Sequence, residues 1–252
     1  MARLQDKVAV ISGGGGSIGA ATARLFAAEG ARVVVADLDE VRLTAVVDEL
    51  GPQRAALAVT DVTDSAQVRA AVQVAVERFG GLDVAFANAG VFGVNAPIVD
   101  YPEDVFDRVM AVNVRGSFLL AKHALAVMRD GGSMIFNSSI VGLMSDATIA
   151  GYATSKHAIV GLMRTAVREV ASRGIRVNSL HPGPVDNEFQ HRIEVSATGE
   201  EEARAAELFE ERIPLARHAS PDEIARTVLF LASDDSSFMT GATVKVDGGL
   251  LV

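Results

Sequence analysis

Short, unbroken apolar runs punctuate the chain, and between them lie longer stretches whose apolar positions recur every third or fourth residue. The runs at 7–12, 31–37, 54–59, 83–87, 132–139 and 174–181 predict strands, and their lack of alternation predicts burial on both faces. The intervening stretches predict helices: from the glycine run to about 29, over 39–50 and 65–79, from 101 to about 112 and on past Asn113 towards 128, and over 152–172. Strand and helix in strict alternation define an α/β fold with one doubly wound parallel sheet and helices on both faces.

At 252 residues and 49% hydrophobic, the chain can bury a full core, and 1–252 reads as a single domain. The net charge of -9, with no basic run, argues against a nucleic-acid partner. Cysteine is absent, which excludes disulfides and thiolate metal sites. The polar lead-in over 1–7 is too short for a signal-peptide core, and no apolar run approaches the ~20 residues of a membrane span. A cytoplasmic protein without a membrane partner is expected.

The first strand ends in Gly13-Gly14-Gly15-Gly16-Ser17-Ile18-Gly19, and a helix follows. Gly14, Gly16 and Gly19 satisfy G-x-G-x-x-G, the spacing that brings backbone N–H groups and a helix N-terminus against a pyrophosphate. The fold expected is therefore of the Rossmann type. Asp37 ends the second strand, eighteen residues past Gly19, where a carboxylate meets the adenosine ribose hydroxyls and repels a 2′-phosphate. Leu38 follows it where an arginine would have compensated, so NAD is favoured over NADP. Asn88-Ala89-Gly90 follows the 83–87 strand at its C-terminal end, where small residues let backbone approach a cofactor.

Chemistry concentrates in 139–156. Tyr152 and Lys156 are four apart and rise from one helix face, so the ammonium is expected to hold down the phenol pKa and make an acid–base group useful near neutral pH. Ser139 precedes Tyr152 by thirteen residues. Asn113 interrupts a predicted helix where asparagine is disfavoured, so either the helix ends or kinks there or the amide has a task. The five histidines, His123, His157, His181, His191 and His218, show no H-x-x-x-H spacing or carboxylate-paired cluster; no metal is expected, and ordinary surface or cap positions are.

Taken together, these positions resemble the short-chain dehydrogenases/reductases over essentially the whole chain. The resemblance rests on Ser12-Gly13 through Gly19, Asp61, Asn88-Ala89-Gly90, Asn113, Ser139, Tyr152, Lys156, Pro182-Gly183 and Val246-Asp247-Gly248-Gly249. Three positions depart: Ser17 replaces the family's middle glycine, Ser12 its threonine, and Asn187 the threonine that touches the nicotinamide carboxamide. The resemblance implies hydride transfer between nicotinamide and a secondary alcohol or ketone. Tyr152 would be acid and base, Lys156 its support and a holder of the nicotinamide ribose, Ser139 a donor to the substrate oxygen, and Asn113 the holder of a relay water. Asp61 and Val62 would contact adenine; Ile18, Asn88, Pro182, Gly183 and Val185 would wall the nicotinamide.

The family also keeps a mobile substrate lid at the place of about 187–214, with Phe189, Ile193 and Val195 expected to face inward and the 200–211 charge run to be a solvated face. Val91, Phe92, Ile140, Val141, Leu143, Met144 and Phe189 suggest an uncharged, mid-sized apolar substrate, with Arg192 the nearest basic side chain in the lid. The helices around 104–128 and 152–172, with 244–252, resemble the surfaces that family members bury in a homotetramer. Two other readings share the fold: an NADPH-dependent 3-oxoacyl-carrier-protein reductase, against which Asp37 and Leu38 argue, and a non-catalytic NAD-binding regulator, expected to have lost one of Asn113, Ser139, Tyr152 or Lys156.

Overall fold

The computed structural model describes residues 2–252; Met1, the start of the polar lead-in, lies outside them. Seven strands form one sheet in the order β3-β2-β1-β4-β5-β6-β7, every neighbouring pair parallel. They are β1 Val8–Ser12, β2 Arg32–Asp37, β3 Ala55–Val59, β4 Leu82–Ala87, β5 Met128–Asn137, β6 Arg176–Pro182 and β7 Thr243–Val246. The order reverses between β2-β1 and β1-β4, and that switch point opens a crevice beyond the carboxyl ends of the strands.

Alternate residues of one strand feed two cores. Val8 and Val10 of β1 pack with α3 (Ser65–Phe79), α5 (Gly116–Val127) and α6 (Ala150–Val170), whereas Ala9 and Ile11 pack with α1 (Ser17–Ala28), α2 (Glu40–Leu50) and α9 (Pro221–Ala232). Burial on both sides explains why the strands read as continuous apolar runs. Helix starts follow local chemistry: Asp39 accepts from Arg42 N to open α2, and Asp64 accepts from Ala66 N and Gln67 N to open α3. Gly80 closes α3 in the left-handed conformation.

Four elements after β6 complete the fold. β7 begins at Thr243 and overlaps the 244–252 stretch that suggests a subunit contact. α9 begins with Ser220, Pro221 and Glu223 in a complete capping box, and buries Ile224, Val228, Leu229 and Leu231, each worth ~1.5–3 kcal/mol over exposure. Its Ser-Pro-x-Glu start was a readable signal. The lid stretch is two helices, α7 (Glu188–Thr198) and α8 (Glu202–Glu210).

The stretch from 103 to 127 is one helical path that changes pitch. α4 (Glu103–Val109) passes into a π-helical segment, Met110–Arg115, and then into α5. Asn113 sits inside this wider turn and is fully buried. Among the described residues, no helix is long and apolar enough to cross a membrane.

Candidate active site

A single cleft of about 710 Å³ runs over the carboxyl ends of the strands. At one end stands the glycine turn. Gly13 has φ +65°, a Cβ on it would lie 2.8 Å from Asn88 Nδ2, and its own carbonyl accepts from Gly16 N at 3.2 Å. Gly16 caps α1 with no side-chain acceptor, and the helix has no acidic residue in its first turn, so its N–H groups and dipole are left to an anion. The turn is thus a cradle that side chains would fill, and it fits the diphosphate of a dinucleotide. Ser17 and Ile18 line the cleft from that first turn. Gly19 does not: it lies behind the loop, where a Cβ would come within 2.1 Å of Gly13 O, so its bareness serves helix–loop packing.

Asp37 closes this end. Its Oδ2 accepts from Gly15 N at 3.1 Å and its Oδ1 from Leu38 N at 2.7 Å, which fixes the carboxylate toward the cleft that Leu38 also lines. The one guanidinium close by, that of Arg42, is committed to Asp39 at 3.2 Å and Glu188 at 3.4 Å. Asp61 and Val62 line the cleft as well, although Asp61 spends Oδ1 on Thr63 N and Oγ1.

In the middle, polar groups lock the loops to one another. Asn88 donates to Ser12 O and Gly13 O, both at 3.1 Å, and accepts from Asn137 Nδ2 at 2.9 Å. Ser12, which stands where the family has threonine, accepts from Asn88 N and Ala89 N. The carbonyl of Asn137 accepts from Lys156 Nζ at 2.9 Å. One chain of hydrogen bonds therefore joins the glycine turn to the lysine. Asn137 was missed by the sequence reading; its place at the end of β5, two residues before Ser139, is the signal that could have found it.

The Asn113 side chain is engaged by the protein itself. Its Oδ1 accepts from Val91 N at 2.8 Å, and its Nδ2 donates to Val91 O and to Ser155 Oγ, each at 2.9 Å. Ser155 Oγ in turn donates to Tyr152 O at 2.7 Å. The side-chain amide is spent on protein partners: it ties the loop after β4 to the first turns of α6 and does not line the cleft.

At the far end Tyr152 presents its ring to the cleft between Phe92, at 5.2 Å, and Phe189 of α7, at 6.4 Å. Lys156 Nζ lies 5.4 Å from the ring centroid. The expected lowering of the phenol pKa meets a larger opposing effect. Burial pushes Tyr152 up to about 12, with the hydrogen bond from Ser139 pulling the other way, and burial pushes Lys156 down to about 8. Ser139, Gly90, Ala89, Pro182, Gly183 and Val185 complete this wall. Asn187 also lines it, with its Oδ1 capping α7 through Gln190 N at 2.9 Å.

Beyond Tyr152 the cleft is lined by Val91, Phe92, Ile140, Val141, Met144, Phe189 and Ile193, but not by Leu143 or Val195. Leu143 packs on the core and Val195 faces outward. Arg192 is also outside, 72% exposed and paired with Glu188; the basic side chains that line the cleft mouth are Arg212, 3.4 Å from Asp146, and Arg108. The 200–211 run is only in part a solvated face, because Phe209 lines the cleft and Glu210 turns inward. Two of the histidines, His181 and His218, depart from the surface reading. His218 is buried between Glu194 Oε1 at 2.7 Å and Glu210 Oε1 at 2.9 Å, which hold it protonated and push it up to about 9. His181 is fully buried. Residues 194, 210 and 218 are brought together by α7, α8 and the turn before α9, which no spacing rule reveals.

A parallel sheet with a diphosphate cradle at its switch point and a phenol, hydroxyl and ammonium further along the same cleft defines a dinucleotide-dependent oxidoreductase. Comparison with known proteins agrees. A family profile described as enoyl-(acyl carrier protein) reductase matches residues 14–251. Momilactone A synthase of Oryza sativa subsp. japonica is 42% identical over 253 residues, covering 99% of this chain and 92% of that one. The solved structure of a levodione reductase superposes with TM-score 0.94 at 37% identity, covering 98% of each chain. A metagenomic blue fluorescent protein solved in complex with NADPH superposes with TM-score 0.90 at 36% identity, covering 99% of this chain and 100% of that one. The chain belongs to the short-chain dehydrogenase/reductase family of oxidoreductases and has that family's nicotinamide-cofactor fold.

Proposed function

We propose that this protein is an NAD-dependent enzyme interconverting an uncharged, mid-sized apolar secondary alcohol and its ketone. The observation that carries the reading is Tyr152, set between two phenylalanines in the cleft, with Ser139 in the same cleft wall and Lys156 beneath. The glycine turn, the N-terminus of α1 and Asp37 would hold the dinucleotide, and Pro182, Gly183 and Val185 would face its nicotinamide end. Bound there, the cofactor supplies a two-electron hydride acceptor or donor.

In oxidation, the Tyr152 phenolate takes the hydroxyl proton of the alcohol as the carbinol hydrogen leaves with its electron pair; in reduction, the phenol returns a proton to the forming alkoxide. Ser139 donates to the substrate oxygen and holds it against Tyr152. Protonated Lys156 favours the phenolate by its charge, and its ammonium is oriented by the Asn137 carbonyl. The reading as an NADPH-dependent 3-oxoacyl-carrier-protein reductase is weaker, because Asp37 stands where a 2′-phosphate needs a cation and Arg42 is already paired with carboxylates. A non-catalytic regulator is disfavoured because Ser139, Tyr152 and Lys156 all stand in the cleft.

The mouth supports a neutral substrate. Arg212 and Asp146 neutralise each other, Arg108 is exposed on α4, and the wall directly about Tyr152 is mostly apolar. A turnover screen with NAD is expected to favour neutral secondary alcohols; a clear preference for carboxylated or phosphorylated ones rejects this part of the proposal.

The same reading takes 187–214 as a substrate lid on a single domain, the location as cytoplasmic, and the assembly as a homotetramer. Phe118 on α5 and Phe238 before β7 stand 47% and 104% exposed, apolar surface suited to burial between copies. Light scattering at micromolar concentration should report four chains, and a monomer there rejects the assembly.

A further inference from the structure

His181 lies near the end of β6, directly before Pro182-Gly183, and its ring is wholly enclosed. Nδ1 is 2.7 Å from the backbone carbonyl of Ser139, and Nε2 is 2.8 Å from Ser179 Oγ. A carbonyl can only accept, so Nδ1 carries the proton and Nε2 accepts from the Ser179 hydroxyl. The other acceptor open to that hydroxyl, Ala242 O, is 3.4 Å away, so the shorter bond to the ring fixes the tautomer. Burial pushes the imidazole down to about 4, and the charges of Lys156 and His157 on α6 act the same way, so the ring stays neutral at working pH.

The Ser139 carbonyl has two donors, His181 Nδ1 and Gly142 N at 2.9 Å. Ser139 is extended, at φ −169° and ψ 167°, between the end of β5 and the 3₁₀ turn Ile140–Gly142. Its hydroxyl accepts from Val141 N at 3.3 Å and lines the cleft with Tyr152. With the carbonyl clasped on one side and the hydroxyl engaged on the other, the residue has little freedom to rotate.

We propose that His181 is a positioning residue for proton transfer: its Nδ1–H fixes the Ser139 carbonyl, and through it the hydroxyl that meets Tyr152, to the strand that continues into Pro182-Gly183. This assignment rests on the reading of Ser139 and Tyr152 as the proton-transfer pair. It accounts for a buried histidine that touches neither cleft nor metal. It also joins the substrate-oxygen donor and the nicotinamide wall into one rigid piece, so that both move together or not at all.

The test compares His181→Gln, which withdraws the donor from Ser139, with His181→Asn, whose amide nitrogen can replace Nδ1. In His181→Gln, kcat for a neutral secondary alcohol is expected to fall ~10-fold or more, with NADH binding by fluorescence unchanged. The alkaline rise of the oxidation rate should also move to higher pH, because the Ser139 bond that opposes the lifted phenol pKa is lost. The Asn variant should recover most of both effects. A His181→Gln enzyme with unchanged kcat and pH profile overturns the proposal, as do Gln and Asn variants impaired alike. Should His181→Gln not fold, His181→Phe keeps a ring in the site and removes the donor to the Ser139 carbonyl; an unchanged kcat and pH profile there overturn the proposal equally. Tyr152→Phe separates the two levels. Near-normal turnover in that variant sinks the underlying reading, whereas its loss beside a normal His181→Gln sinks only the role of His181.

Discussion

Replacing Tyr152 by phenylalanine is expected to lower turnover by ~10²-fold or more while cofactor binding stays near its original strength. The substitution deletes one oxygen and keeps the ring that packs between Phe92 and Phe189. The diphosphate cradle and Asp37 lie at the other end of the cleft, so binding and chemistry should separate cleanly. Tyr101 is the chain's one other tyrosine and serves as the internal control. Its hydroxyl is buried without a partner, so Tyr101→Phe removes an unsatisfied group and should leave turnover nearly unchanged. Near-normal turnover in Tyr152→Phe with intact NAD binding ends the catalytic assignment. The pH dependence supplies the sign. Burial holds the phenol protonated up to about 12, so oxidation, which needs the phenolate, should climb with pH across the alkaline range, while reduction, which needs the phenol, should not. Burial pushes Lys156 down to about 8, so its charge can favour the phenolate only at the lower end of that climb, and Lys156→Ala should depress oxidation most there.

The second large effect concerns the adenosine end. The ratio of kcat/KM with NAD to that with NADP is expected to correspond to at least about 2 kcal/mol, because a 2′-phosphate would meet the Asp37 carboxylate with no free guanidinium beside it. Asp37→Ala removes the charge together with the acceptors of Gly15 N and Leu38 N. It should erode the preference and keep the chemistry. Equal use of the two cofactors by the unaltered enzyme rejects the NAD assignment.

The frame of this site was legible in the sequence because it depends on local rules. Apolar runs marked β1 to β6, glycines marked the turn before α1, and a four-residue spacing put Tyr152 above Lys156 on α6. What was not legible depends on residues far apart in the chain meeting in space. Asn113 reads as a poor helix former, yet only the packed structure shows its amide satisfying both backbone groups of Val91. His181 and His218 read as isolated histidines, and tertiary packing gives one a carbonyl and the other two carboxylates. The phenol pKa was misjudged for the same reason: charge spacing is written in the sequence, whereas burial is a property of the assembled cleft.

β6 carries His181, Pro182 and Gly183, and its register with β7 pairs Ser179 with Thr243 and Pro182 with Val246. During synthesis, that flank of β6 has no strand partner until Thr243–Val246 has left the ribosome, some sixty residues later. For all that interval a strand that is fully buried in the finished fold presents open hydrogen-bonding groups, a template for pairing with a neighbouring nascent chain. The cleft wall at Pro182-Gly183 is therefore completed among the last steps of biogenesis, and yield of folded protein should depend on how quickly translation covers that edge as well as on the stability of the finished fold.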